Sequence, residues 1–168
     1  MKKLLSIIVS YLLLSLPAFA VTNLADGSSV NFADYIGKGK WTVIEIWRHN
    51  CPACRATIHH ISDFDAISEN YNAQVIGVSS DGLNNKQLAS TFVDNHALEF
   101  TNLLSNPREI DQLIRSHSPQ SFIGTPTVML FSPEGDPAGI VVGPVTSDEL
   151  VQYFDQQQSA KQDSPESL

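Results

Sequence analysis

Apolar and polar positions along the chain follow two periods, which predicts strands interleaved with helices. The segment "WTVIEIW" (residues 41–47) is β-branched and apolar apart from one carboxylate, as expected of a strand that is buried on both faces. From Pro52 onward, apolar residues recur at helical spacing as far as Ile67. Similar patterns predict further strands over residues 73–80, 99–104, 126–132 and 138–143, and further helices over residues 85–98, 107–117 and 146–156.

The order of these elements predicts an α/β domain. Strands and helices alternate as far as residue 117, which favours parallel strands in one sheet. The last two strands flank the turn "PEGD" (133–136) and predict an antiparallel hairpin, followed by a helix. We therefore expect a mixed central sheet flanked by helices, with a C-terminal β-hairpin and helix.

Both ends of the chain depart from this pattern. Residues 1–20 have two lysines, an apolar run and small residues in the order of a secretory signal peptide. We expect cleavage before Val21, with an uncleaved membrane anchor as the alternative. The folded domain then spans residues 21–156, and the polar residues 157–168 are expected to be a disordered tail. Export would place the protein in the periplasm, where disulfides persist.

The charge of the chain argues against one class of partner. The 168 residues carry a formal net charge of −8, and the lysines and arginines form no cluster or stripe. Proteins that bind nucleic acid present a basic surface to the phosphates. We therefore expect no nucleic-acid partner.

Both cysteines lie in "WRHNCPACR" (47–55), two residues apart. Pro52 suits the first position of a helix, which leaves Cys51 at the N-cap. The unpaired N–H groups and the dipole of a helix N-terminus favour a thiolate, so a cysteine there can titrate at roughly 3.5–7.5 instead of about 8.5. We therefore expect Cys51 to attack substrate and Cys54, one turn later, to resolve the mixed disulfide.

Two other interpretations of the cysteine pair are weaker. A passive disulfide that closes a two-residue loop gains little loop-closure entropy. A zinc site needs two further ligands, and the chain offers no third cysteine and only five scattered histidines, His49, His59, His60, His96 and His117. We expect no metal and no cofactor other than the redox-active Cys51–Cys54 disulfide.

Residues 27 to 156 resemble the thioredoxin superfamily and, within it, the exported TlpA/ResA-like proteins. The motifs that carry the resemblance are "VIEIWRHNCPACR" and "IGTPTVMLFSPEGDPAGIVVG". The resemblance implies a thioredoxin-like fold, with a cis-Pro126 against the cysteine pair. It also implies that the backbone of Thr125 is free to pair with an extended substrate, and we expect Trp47 and Pro52 to contribute to substrate binding. The chain departs from the family at Asn50, just before the first cysteine, and at two basic side chains where smaller residues are usual, Arg48 and His49.

These features together predict a periplasmic thiol–disulfide oxidoreductase that reduces disulfides in client proteins. The resemblance favours this direction, with a membrane-linked partner that re-reduces the pair. Three cations near Cys51, namely Arg48, His49 and Arg55, would stabilise the thiolate and raise the reduction potential, so a dithiol oxidase or disulfide isomerase is an alternative. A copper-delivery protein that uses both thiolates and a histidine is a less favoured alternative, and so is a redox-inactive binding module.

Glu45 is the one carboxylate inside the strand over 41–47. Strand alternation places it on the same face as Val43 and Trp47, and burial should raise its pKa. One hypothesis is partial exposure or pairing with a basic residue such as Arg48. The other is that Glu45 lies near Cys54 and accepts its proton when that thiol resolves the mixed disulfide. The resemblance to thioredoxins supports the second.

Overall fold

A computed structural model describes residues 20–163 of the chain. Seven strands and four helices are connected by loops that contain three short 3₁₀ turns. The strands are β1 (Ala20–Asn23), β2 (Ser29–Asn31), β3 (Trp41–Trp47), β4 (Ala73–Ser79), β5 (Thr101–Leu104), β6 (Thr127–Phe131) and β7 (Pro137–Val142). The helices are α1 (Pro52–Asp65), α2 (Lys86–Asn95), α3 (Pro107–His117) and α4 (Ser147–Asp163).

The strands form one mixed sheet in the order β2-β1-β5-β4-β3-β6-β7. Strand β4 is parallel to both of its neighbours, β3 and β5. Strand β6 is antiparallel to β3, and β7 continues from it as the predicted hairpin. The expected mixed sheet with flanking helices and a C-terminal hairpin and helix is therefore confirmed.

Strand β3 divides the core into two layers because its alternate side chains point to opposite faces. Val43 and Trp47 pack with apolar side chains of α1, α2 and α4, among them Ile58, Phe64, Phe92 and Phe154. Ile44 and Ile46 pack on the other face against α3, with Ile110, Leu113 and Ile114. Helix α1, which begins beside the cysteines, is thus anchored on the face that Val43 and Trp47 share.

The two N-terminal strands were not predicted from the sequence. Strands β1 and β2 are only four and three residues long and half-buried for the most part, so they have too few positions for a clear alternation. They pair with each other, and β1 also covers the outer edge of β5. The predicted signal segment lies outside the described residues except for Ala20, which begins β1.

The C-terminal helix is longer than predicted. Residues 157–163, expected to be part of a disordered tail, instead extend α4 to Asp163, and residues 164–168 lie outside the described part of the chain. Glutamine and alanine are good helix formers, and the Gln158 amide donates a hydrogen bond to the backbone oxygen of Asn70. Within residues 20–163, no helix is long and apolar enough to cross a membrane.

The parallel strands end at one edge of the sheet, and the loops that follow them carry the candidate chemistry. In the register between β3 and β4, Trp47 lies opposite Ser79 at this edge. The cysteine segment follows Trp47, and Asp81 follows Ser79. The carboxyl ends of parallel strands are where α/β proteins place their sites.

Candidate active site

Cys51 and Cys54 form a disulfide at the start of α1, with their Cα atoms 5.3 Å apart. Cys51 is the N-cap, and its Sγ accepts a hydrogen bond of 3.1 Å from the backbone N–H of Cys54. Cys51 is 9% exposed whereas Cys54 is fully buried. The two cysteines therefore differ in exposure, and Cys51 is the one that a substrate can reach, as the sequence predicts.

The Thr125–Pro126 peptide bond is cis, as the resemblance implies. The carbonyl oxygen of Thr125 lies 3.4 Å from Cys51 Sγ, so the loop before β6 borders the disulfide directly. Pro52, the residue after Cys51, is exposed. Roles for Thr125, Pro126 and Pro52 in substrate binding or catalysis stay predictions.

Glu45 is buried in the sheet, with only 2% of its surface exposed. Among the described residues, no hydrogen-bond partner reaches its Oε2 atom, and burial raises the pKa of this carboxyl to about 8. Its neighbours in the strand, Val43 and Trp47, belong to the same apolar cluster as Cys54. Because Glu45 is buried and Arg48 pairs with another carboxylate, Asp81, the hypothesis of an exposed or Arg48-paired Glu45 is wrong. Its proton-accepting role stays a prediction.

Trp47 lies in the core and not on the surface expected for substrate binding. Its side chain is fully buried and stacks on Phe92 with ring centroids 4.5 Å apart. The indole N–H donates a buried hydrogen bond of 3.1 Å to Asn102 Oδ1. Gly77 makes this arrangement possible, because a Cβ atom there would meet the indole nitrogen at 2.9 Å. Trp47 therefore belongs to the core, at the end of the strand that leads into the loop before Cys51.

Asp81 is a member of the site that the sequence analysis missed. It lies just beyond β4, and its side chain is fully buried. Oδ1 is 2.5 Å from His49 Nδ1 and 3.4 Å from Arg48 Nε. Oδ2 accepts hydrogen bonds from the His49 backbone N–H at 3.0 Å and from the Ser79 hydroxyl at 2.7 Å. A carboxylate directly after a strand that ends beside the cysteine segment was the available signal.

The cations expected around Cys51 are therefore partly neutralised. Arg48 and His49 both face Asp81. The third cation, Arg55, donates a hydrogen bond from Nε to the backbone oxygen of His49 at 3.1 Å. Within the described ranges, no group of three or more histidine, cysteine, aspartate or glutamate side chains converges to hold a metal ion. The copper-delivery alternative stays a prediction.

Comparison with known sequences gives two matches. The sequence model of the AhpC/TSA family matches residues 14–136. The thiol-disulfide oxidoreductase ResA of Oceanobacillus iheyensis is 28% identical over 130 residues, which make up 77% of this chain. The chain spans 62% of the length of that relative.

Solved structures are similar over most of the chain. The thioredoxin domain of a thiol-disulfide oxidoreductase from Bacteroides vulgatus superposes with a TM-score of 0.64 and 21% identity, over 84% of this chain and 93% of that one. A secreted disulfide oxidoreductase of Mycobacterium tuberculosis, homologous to Escherichia coli DsbE, gives a TM-score of 0.63 and 21% identity, over 83% and 96%. At these identities the likeness establishes the fold, which is thioredoxin-like.

Proposed function

The chain belongs to the AhpC/TSA family, and on that premise we propose that it is an exported thiol–disulfide oxidoreductase that reduces disulfides in client proteins. One observation carries the proposal. The Cys51–Cys54 disulfide caps α1, with its more exposed sulfur 3.4 Å from the Thr125 carbonyl oxygen. A helix N-terminus stabilises a thiolate, so this position activates Cys51 once the disulfide is reduced.

The first step is attack by the Cys51 thiolate on one sulfur of a client disulfide. A bond forms between Cys51 and that sulfur, the client S–S bond breaks, and the other client sulfur leaves as a thiolate that takes up a proton. The product is a mixed disulfide that joins the protein to its client.

The second step is resolution by Cys54. Its thiolate attacks Cys51 Sγ and forms the Cys51–Cys54 bond, the mixed disulfide breaks, and the second client sulfur leaves as a thiolate that takes up a proton from solvent. Cys54 is buried and must lose a proton first. Glu45 lies on the face of β3 that packs against Cys54. Its pKa of about 8 is close to that of a thiol, so the ionised fraction of this carboxyl accepts the Cys54 proton, and that fraction increases as pH rises toward 8. Two electrons have then passed to the client.

Client binding uses the surface on both sides of Cys51. The backbone of Thr125 borders the sulfur and pairs with an extended client segment in the manner of an added strand. Exposed Pro52 contacts the same segment from the start of α1.

Two further features support the proposed reducing direction and the proposed place of action. Asp81 offsets the charge of Arg48, which removes part of the electrostatic argument for an oxidase. The signal-like residues 1–20 and the secreted Mycobacterium tuberculosis neighbour support an exported, periplasmic protein. A membrane-linked dithiol donor would return the Cys51–Cys54 disulfide to the reduced form.

Single cysteine variants test this scheme with a disulfide-containing client such as insulin. We expect Cys51→Ser to abolish reduction, and Cys54→Ser to accumulate a mixed disulfide that is visible on a non-reducing gel. The variant Ser62→Ala serves as the control and should retain activity. Ser62 lies in α1, two turns beyond Cys54, and its hydroxyl is buried. Faster alkylation of Cys54 than of Cys51 by iodoacetamide in the reduced protein would reverse the assigned roles.

A further inference from the structure

We propose that the buried Asp81 is a positioning residue that sets the reduction potential of the Cys51–Cys54 couple by offsetting the positive charge of Arg48 and by holding His49 in place, an assignment that rests on the redox function proposed above. Asp81 thereby keeps the couple reducing, although the segment before Cys51 is basic.

The contacts of Asp81 make its charge a fixed part of the site. Burying a carboxylate is costly unless its oxygens are hydrogen-bonded and its charge is paired. Here Oδ2 accepts from the His49 backbone and from Ser79, while Oδ1 faces the guanidinium of Arg48 and the imidazole of His49. Because a carboxylate oxygen only accepts, His49 Nδ1 carries the proton in this contact.

The residues that Asp81 holds are bonded in turn to the cysteine segment. The backbone N–H of Cys51 donates a hydrogen bond of 3.1 Å to the oxygen of Arg48. The oxygen of His49 accepts one of 3.1 Å from Arg55, in the first turn of α1. Asp81 therefore fixes both the position of the loop and the placement of its charge.

Three elements other than the loop also contribute charged or titratable side chains to the surroundings of the cysteine pair. Arg55 comes from α1, Glu45 from β3 and Asp81 from the end of β4. A cation near Cys51 stabilises the thiolate, favours the reduced form and raises the potential, and a carboxylate does the opposite. Solvent screens the Arg48 side chain, which is 45% exposed, far more than the fully buried Asp81 carboxylate.

A charge cycle tests the proposal through the equilibrium of the purified protein with glutathione. Asp81→Asn keeps the shape of the side chain and an oxygen that accepts from the His49 backbone, but it removes the charge. We expect this equilibrium to shift about tenfold toward the reduced dithiol, which corresponds to about 30 mV for a two-electron couple. Arg48→Gln should shift it toward the disulfide, and the double variant should return close to the wild type.

The control is Asp136→Asn, in the exposed turn between β6 and β7, which makes the same change in total charge at the other end of the sheet. It should leave the equilibrium unchanged. An unchanged equilibrium in Asp81→Asn, or a double variant that shifts as far as Asp81→Asn alone, would reduce Asp81 to a structural residue. If Asp81→Asn does not fold, the Arg48→Gln variant decides alone. An equilibrium that fails to shift toward the disulfide in Arg48→Gln would then overturn the proposal. A wild-type protein that does not equilibrate with glutathione would instead refute the redox function itself.

Discussion

Glu45 is a buried carboxyl whose ionisation is opposed by its surroundings. Desolvation in the sheet raises its pKa from 4.5 to about 8. The folded protein therefore holds this proton over a pH range in which the unfolded chain has released it. Where the folded state binds more protons than the unfolded state, the free energy of unfolding falls as pH rises. The stability that the neutral carboxyl provides is complete below pH 4.5 and is lost as pH rises to about 8.

Glu45→Gln should remove this pH dependence. We expect the variant and the wild type to differ little in stability at pH 5, and the variant to be more stable at pH 8.5. The difference should be on the order of a few kcal/mol, since each pKa unit is worth about 1.4 kcal/mol. Urea unfolding of the oxidised proteins at both pH values measures it, with Glu134→Gln in an exposed turn as the control.

The same variant separates a structural from a chemical role for Glu45. Slower resolution of the mixed disulfide near neutral pH, with attack by Cys51 little affected, is the result expected of a proton acceptor. Equal resolution rates from pH 6 to 9 in stopped-flow experiments would leave Glu45 with a structural role only.

At the scale of single elements, the N-terminus of α4 is capped by Thr146, the residue just before the helix begins at Ser147. Thr146 Oγ1 accepts a hydrogen bond from the Glu149 N–H, and the Glu149 carboxylate accepts one from the Thr146 N–H. This reciprocal pair is a capping box. The capping box fixes where α4, which packs against α1, begins.

Thr146→Ala should lower the free energy of unfolding by about 1 kcal/mol, as loss of an N-cap typically does. Ser147→Ala, one residue later, should change it by only a few tenths of a kcal/mol. Chemical denaturation of the two variants side by side measures the difference. Equal losses would mean that the Thr146 side chain does not cap the helix.

The elements that the sequence predicts best are those whose signals are local. Strand β3 and helix α3 have the predicted bounds, because the first is a continuous apolar run and the second opens at Pro107. Cys51 at the N-cap of α1 follows from Pro52 in the same way. Asp81 was missed because its partners are 32 and 33 residues away in the sequence, and only the pairing of β3 with β4 brings them together.

At the scale of the whole molecule, the redox state and the folding stability are linked. A couple that is reducing in the folded protein has a disulfide form that folding stabilises more than the dithiol form, whereas a strong oxidant stabilises its reduced form. The disulfide lies at the start of α1, so we expect the difference in stability to arise there. The direction of electron flow can therefore be measured without any client.

We expect the oxidised protein to unfold at a higher urea concentration than the reduced protein. Each tenfold preference for the disulfide corresponds to about 1.4 kcal/mol of added stability. The double variant Cys51→Ser/Cys54→Ser, with and without dithiothreitol, controls for effects of the reductant. A reduced form more stable than the oxidised form would identify an oxidase instead.

Because β6 runs antiparallel to β3, it begins near the cysteines and ends at the opposite end of the sheet. Thr127 lies opposite Ile46 near the cysteines, whereas Phe131 lies opposite Thr42 at the far end, where the turn over residues 132–136 follows. A linker attached at exposed Glu134 would hold the protein on a bead or an electrode with Cys51 facing the solution. Such an immobilised layer would present every molecule in the same orientation, so dissolved clients could be treated and washed away without loss of the protein.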